Sequence, residues 1–124
     1  MAQDQTANIV DKLDRGIGLA DVDTAATTCT EVDQDFRNDG NIIAIIVNNS
    51  AGVRTATLKS QPDSFGRGGA TDTDNDEVLA IPATSMGFFP MMSSEMFNSG
   101  SVSRIVLDAF ATTKILLIRV RKAR

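Results

Sequence analysis

Residues 41–48 read NIIAIIVN, and this stretch decides the fold class. Five of its eight residues are Ile or Val, whose β-branched side chains favour a strand over a helix. An apolar run of strand length without alternation is typical of a strand buried on both faces. The run follows Asn38-Asp39-Gly40, which predicts a tight turn with a glycine at positive φ. The sequence therefore predicts a central strand that starts directly after a turn.

Further short strands are predicted on both sides of this stretch. VRTATLK (53–59) alternates and follows the turn NSAG (49–52), which predicts a hairpin with the central strand. EVLAIP (77–82) predicts a strand that ends at its proline, and SVSRIVLD (101–108) with TKILLIRVR (113–121) predicts a second hairpin. Helical periodicity is nowhere sustained, so the pattern predicts an all-β chain, an antiparallel β-sandwich or a barrel.

The domain organisation follows from length and from the polar beginning of the chain. A chain of 124 residues fits one domain. Residues 1–25 hold only isolated apolar side chains, and Gly16 and Gly18 interrupt the short helical spacing. We therefore expect an extended N-terminal arm over 1–25, which adds contact area without contributing to the core, and a β-sandwich domain over 26–124.

The composition argues against an enzyme. The chain has no His, which removes the commonest general base, the commonest zinc ligand and every Ser-His or Cys-His pair. Its one cysteine, Cys29, lies in a strand-like segment and is expected to be a small buried hydrophobe. DTDND (72–76) begins like a calcium loop but lacks the glycine and the glutamate that an EF-hand needs at 77 and 83. We expect no catalytic residue, no metal and no cofactor.

The sequence shows no targeting or membrane segment. The N-terminal residues are acidic and contain no apolar stretch of the kind found in secretory signals. The longest apolar runs are too short for a helix of about 20 residues that would span a bilayer. We expect a soluble intracellular product without a membrane partner.

Charge is distributed unevenly along the chain. Residues 1–40 carry nine acids and three bases, whereas residues 101–124 carry one acid and six bases. The basic end RVRKAR (119–124) has no interleaved aromatic residue, and the acidic remainder of the chain would repel phosphate. We therefore expect no nucleic-acid partner, and a basic end that is either solvated or docked on an acidic protein surface.

IPATSMGFFPMMSSEMFN (81–98) contains four of the five methionines and three of the six phenylalanines. The corner either plugs one end of the core or forms an adaptable contact surface, a use that suits methionine. We expect both, with Phe88 and Phe97 directed inward and Met91 and Met92 directed outward.

Three segments of the chain form a recognisable series: FRNDGNIIAIIVNNSAG (36–52), AIPATSMGFFPMMSSEMFNSGSVSRIVL (80–107) and TTKILLIRV (112–120). In these segments the chain resembles the small proteins that decorate and stabilise the heads of tailed bacteriophages. Gly87-Phe88-Phe89-Pro90 replaces a corner that resembles Gly-Pro-Phe-Pro in those proteins, and Phe97-Asn98 stands where they have Tyr-Asn.

The resemblance implies an Ig-like or jelly-roll-like sandwich that binds the outer surface of the capsid lattice. The implied partners are the major capsid protein and sister subunits, with a homotrimer favoured, and the implied location is the virion after synthesis in the host cytoplasm. We take the arm, the corner and the basic end as candidate interfaces. The candidate interface residues are Ile9, Val10, Leu13, Phe89, Met91, Met92, Arg119 and Arg121.

Two other functions remain open at this point. A head–tail joining or tail-surface protein of the same virion would differ from a decoration protein in copy number. A carbohydrate-binding or host-attachment module would need exposed aromatic side chains to stack on sugar rings, and the chain has neither Trp nor Tyr.

Overall fold

The computed structural model describes residues 2–12, 22, 25–60, 76–90, 97–99 and 101–120. These residues form eleven short strands and one turn of 3₁₀ helix at Thr6–Asn8. The strands are β1 (Gln3–Asp4), β2 (Val10–Lys12), β3 (Thr27–Thr28), β4 (Asp33–Arg37), β5 (Ile42–Asn48), β6 (Arg54–Leu58), β7 (Glu77–Ile81), β8 (Ser85–Phe89), β9 (Asn98–Ser99), β10 (Val102–Leu107) and β11 (Thr113–Val120).

The strands form two sheets. Sheet A has the order β1-β4-β10-β6-β7. In addition, β9 pairs with the first two residues of β10, Val102 and Ser103. Sheet B has the order β2-β11-β5-β8, and β3 also pairs with β11. All pairs are antiparallel except β1–β4 and β2–β11, in which the N-terminal strands run parallel to their partners. The predicted all-β fold, a mostly antiparallel sandwich, is confirmed.

The main core lies between the sheets. Sheet A contributes Phe36 and Ile105, and sheet B contributes Ile42 and Ile46, all four with no exposed area. Full burial of a side chain of this size stabilises the fold by roughly 1.5–3 kcal/mol relative to an exposed one.

The central strand predicted from NIIAIIVN is β5, which lies between β11 and β8. Ile42, Ala44 and Ile46 face the main core. Alternate residues of a strand point to opposite faces, and accordingly Ile45 and Val47 pack into a second, smaller apolar cluster outside sheet B. The prediction of a strand apolar on both faces is confirmed.

Both predicted hairpins are wrong, because the turns cross between the sheets. β5 belongs to sheet B and β6 to sheet A, so the turn at 49–53 spans the sandwich. The loop at 108–112 likewise joins β10 of sheet A to β11 of sheet B. Small polar residues are common both in hairpin turns and in turns that cross between sheets. Alternation of apolar and polar residues shows which face of a strand is buried, but it does not show which strand lies next to it.

The turn predicted at Asn38-Asp39-Gly40 is confirmed in its backbone. Gly40 has φ +90°, which favours glycine because other residues meet a steric penalty there. Its N–H donates to Asn38 Oδ1 over 2.9 Å, and the turn carries the chain from sheet A to sheet B.

The N-terminal segment is built into both sheets over residues 2–12. It pairs with sheet A through β1, turns through the 3₁₀ helix and pairs with sheet B through β2. Ile9 packs against the main core and Val10 against the second cluster. The expectation that this segment would not contribute to the core is wrong for these two side chains. Residues 13–21, 23 and 24 lie outside the described residues.

Candidate docking surfaces

The outward side of sheet B carries three cross-strand rows of side chains, which we call the apolar face. The register of β5 with β8 and β11, and of β11 with β2, aligns these rows. The rows are Val10–Ile118–Ile43, Leu116–Ile45–Phe88 and Lys114–Val47–Met86. Eight of the nine positions are apolar, and Lys114 is the exception.

Part of the apolar face is covered and part is open. Val22 is buried against Leu116 and Val47 in the second cluster, so the chain itself covers the side near β11. On β8, however, Phe88 is 62% exposed and Met86 is 41% exposed. An aromatic ring and a methionine side by side on an open face form the kind of apolar patch that marks an interaction surface.

Gly87 explains why Phe88 and Met86 point outward. A Cβ at position 87 would lie 3.0 Å from side-chain carbons of both Ile81 and Leu79 on β7. The glycine thus lets β8 approach β7 closely on the inner side. Because side chains alternate along a strand, this approach directs the residues before and after Gly87 to the outer face.

The outward side of sheet A carries paired charges across β4 and β10. Opposite the outward residues of β10 lie Asp33, Asp35 and Arg37 of β4. Arg104 holds Asp35 through Nε to Oδ1 at 2.7 Å and Nη2 to Oδ2 at 2.9 Å, and its Nη1 lies 3.6 Å from Asp33 Oδ2. The bond to Asp35 raises the pKa of Arg104, so the guanidinium stays charged. This charged part of sheet A is suited to water, and the exposed apolar residues of the same sheet, Val78 and Val102, carry no aromatic ring.

A shallow cleft of about 320 Å³ lies beside these charges, lined by Asp4, Thr6, Arg37 and neighbouring residues. The backbone N–H of Thr6 donates to Asp4 Oδ1 over 2.9 Å, and this bond lowers the pKa of that carboxyl group. An exposed carboxyl group whose pKa is lowered is poorly suited to act as a general acid, and this holds for Asp4.

One end of the sandwich gathers four short loops, which we call the apex: residues 29–32, 49–53, 82–84 and 108–112. The strand registers place all four at the same end of the two sheets. Asn48, fully buried, ties two of the loops together, because its Nδ2 donates to the carbonyl groups of Gly52 at 2.8 Å and of Ile81 and Pro82 at 3.0 Å.

The remaining loops of the apex are bonded to one another as well. Arg54 donates from Nη2 to Ala111 O over 2.8 Å and from Nε to Thr113 Oγ1 over 3.2 Å. The N–H of Leu107 donates to Val32 O over 2.8 Å, which joins the first loop to the last. Hydrogen bonds therefore connect the loops of the apex to one another, although these loops come from distant parts of the sequence.

The apex combines backbone strain with exposed apolar side chains. Thr84 and Thr112 adopt φ +52° and +53°, a left-handed conformation that β-branched residues rarely adopt. Such residues cost of order 1–3 kcal/mol and cluster at functional sites. Val53 is 59% exposed, Phe110 40% and Val32 37%. These three are among the seven large apolar residues that are exposed in the described part of the chain.

The structure places the candidate interface residues in different environments. Ile9 and Val10 are half-buried within the sandwich, and Phe89 is 5% exposed in the main core. Arg119 donates from Nε to Asp39 Oδ2 over 3.0 Å. Leu13, Met91, Met92 and Arg121 lie outside the described residues.

The corner was misassigned in one respect. Phe88 was expected to point inward and is exposed, whereas Phe97 is buried as expected. The sequence analysis also missed Met86, Val53 and Phe110 as surface residues. Alternation around Gly87 would have shown that Phe88 and Phe89 cannot share a face, but it cannot say which of the two faces the core.

Catalytic and metal sites are not visible within the residues that the structure describes. No group of three or more His, Cys, Asp or Glu side chains is placed there to hold a metal ion. Cys29 is buried, and burial raises the pKa of its thiol to about 12. A thiol that stays protonated is not a nucleophile.

Comparison with known proteins adds no further information about this chain. Within the described part of the chain, no helix is long and apolar enough to cross a membrane. Searches against protein-family models, curated proteins and solved structures give no match.

Proposed function

We propose that this chain is a structural virion protein that binds the outer surface of a phage capsid lattice and stabilises it. The observation that carries the proposal is the open part of the apolar face, where Phe88 and Met86 stand exposed beside Ile45 and Val47. The resemblance of residues 36–52, 80–107 and 112–120 to capsid decoration proteins supplies the class of partner.

The contrast between the two outer faces supports one docking side. Sheet A presents the bonded charges of Asp35 and Arg104, which gain little from leaving water. Sheet B presents apolar area, whose burial contributes about 25 cal/mol per Å². A modest contact of this kind suffices on a lattice, because neighbouring copies act together.

The proposal is tested by binding of single-residue variants to capsids that lack this protein. Phe88→Glu should weaken co-sedimentation with such capsids, because it places a charge where the ring would be buried. The melting temperature should change little, since Phe88 is already exposed. Val78→Glu is the matched control, because Val78 is 65% exposed but lies on sheet A.

Three outcomes are informative. Loss of binding by Phe88→Glu alone supports docking through the apolar face. Equal binding of both variants and the wild type contradicts it, and so does equal loss by both. If the wild type itself does not bind capsids, the decoration function is wrong.

Copy number separates decoration from the head–tail or tail-surface function. A decoration protein occupies every lattice position and is present in hundreds of copies per particle. A joining protein is present at the number of one ring. Quantification in purified particles by mass spectrometry decides between them.

A further inference from the structure

The charged residues within the four loops of the apex are all acidic. Its four loops contain two acids, Glu31 and Asp108, and no basic residue. Among the described residues neither carboxylate has an ion-pair partner. Asp108 is exposed and Glu31 half-buried, and they flank the exposed Val32 and Phe110. Arg54 of β6 adds one positive charge beside these loops, where Ala111 O and Thr113 Oγ1 hold its guanidinium. The apex thus offers apolar area together with a small excess of negative charge.

The sequence that follows β11 carries the complementary charge. β11 begins at the apex with Thr113 and runs the length of sheet B to Val120. The sequence continues there with Arg121, Lys122, Ala123 and Arg124, which we call the basic segment. Long Lys and Arg side chains cover apolar surface with their stems while their charged heads reach carboxylates. The basic segment therefore has the chemistry that the apex would bind.

The backbone of the basic segment is too short to lie along the apex of its own chain. Thr113 and Val120 are seven residues apart in a strand, a distance of roughly 23 Å at about 3.3 Å per residue. The four residues of the basic segment span at most roughly 14 Å when fully extended. A basic segment whose backbone lies along an apex must therefore come from another copy.

We propose that the apex of one copy binds the basic segment of a second copy, in a head-to-tail contact. Such a contact is heterologous, because two different surfaces meet, and it closes into a ring or continues as a chain according to the rotation between copies. Glu31 and Asp108 attract the incoming cations, while Val32, Val53 and Phe110 provide the area that is buried. This contact uses neither Phe88 nor Met86, so it goes beyond the proposed capsid binding and stands or fails separately.

The test uses two variants that each lack one half of the contact. The apex variant combines Glu31→Gln with Asp108→Asn, and the segment variant combines Arg121→Gln, Lys122→Gln and Arg124→Gln. The wild type should increase in mass with concentration in sedimentation velocity at low salt. Each variant alone should associate at least about tenfold more weakly than the wild type. A factor of ten corresponds to a modest change in binding free energy, which the loss of these charges can account for.

The mixture of the two variants is the decisive sample. One retains a working segment and the other a working apex, so together they should form a pair of one copy each and nothing larger. Added salt should weaken the pair, because charges between exposed groups are screened over about 8 Å at physiological ionic strength.

Glu77→Gln is the control, because it removes an exposed acid at the start of β7, away from the apex. It should associate like the wild type. A wild type that stays monomeric at all concentrations overturns the proposal. Association of the segment variant at wild-type strength overturns it, and so does a mixture in which no pair forms.

Discussion

Gln5 donates from Nε2 to Gln34 Oε1 over 2.7 Å, and neither side chain has any exposed area. Gln34 in turn donates to Gln3 Oε1 at 2.9 Å and to Glu31 O at 2.7 Å. Asn8 donates to Gln5 Oε1 over 2.9 Å. Buried amides are stable only when their polar atoms are bonded. This network therefore fixes the N-terminal strand on β4.

Gln34→Ala should destabilise the protein by roughly 2–3 kcal/mol, because it leaves the buried Gln5 amide without its acceptor. The free energy of unfolding in urea measures the effect. Thr30→Ala is the control, since Thr30 is exposed and bonds Gln3 through its backbone N–H. Equal stability of Gln34→Ala and the control would show that the network contributes nothing.

Removal of residues 1–12 should lower the free energy of unfolding by at least about 3 kcal/mol, because Ile9 and Val10 leave apolar clusters and Gln34 loses its partners. Thermal melting of the shortened chain beside the full chain checks this. A shortened chain that melts at the wild-type temperature would mean that the segment is only an appendage.

The fold class was predictable because it depends on side-chain period and composition. The β5 stretch shows five β-branched residues without alternation, and no helical spacing competes with it. Strand pairing was not predictable in the same way. Where the chain crosses to sheet A after β5, Asn48 donates to the carbonyl groups of Ile81 and Pro82, which lie more than thirty residues away. Local sequence carries no signal for such a long-range contact.

The sequence indicated that the corner would expose apolar side chains, but it did not indicate which ones. The corner at 81–98 was expected to hold a contact surface, and Phe88 and Met86 of that corner are exposed. Phe88 was nevertheless placed inward, because adjacent phenylalanines look alike in sequence. The apex was not predictable, because its loops come from four separate parts of the chain.

Asn48→Ala should destabilise the protein by roughly 2–4 kcal/mol, because three loop carbonyls lose their donor and two of the loops of the apex lose their tie. Asn48→Asp should be no better, since a carboxylate keeps the shape but cannot donate to carbonyl groups. Urea denaturation of both variants checks this. Recovery of stability in Asn48→Asp would show that the shape of the side chain, not its hydrogen-bond donation, maintains the turn geometry.

Burial of Cys29 should make the protein less stable in alkali. Burial raises the pKa of the folded thiol from its ordinary 9.0 to about 12. Above pH 9 the unfolded chain therefore loses a proton that the folded chain keeps. The thiol's contribution is intact below pH 9 and declines as the pH rises toward 12, by up to about 1.4 kcal/mol per pH unit. The side chain should also resist thiol reagents until the protein unfolds.

Cys29→Ala isolates this effect, because it removes the titrating thiol and leaves the backbone unchanged. In the wild type the backbone N–H of Cys29 donates to Thr113 O over 2.9 Å, and alanine can make the same bond. The variant should be less stable than the wild type at neutral pH, since a small cavity remains. Its free energy of unfolding should nevertheless fall less steeply between pH 9 and 11 than that of the wild type. Parallel curves for the two proteins would assign the alkaline loss to other groups, and rapid labelling of the folded wild type would show that the thiol is not enclosed.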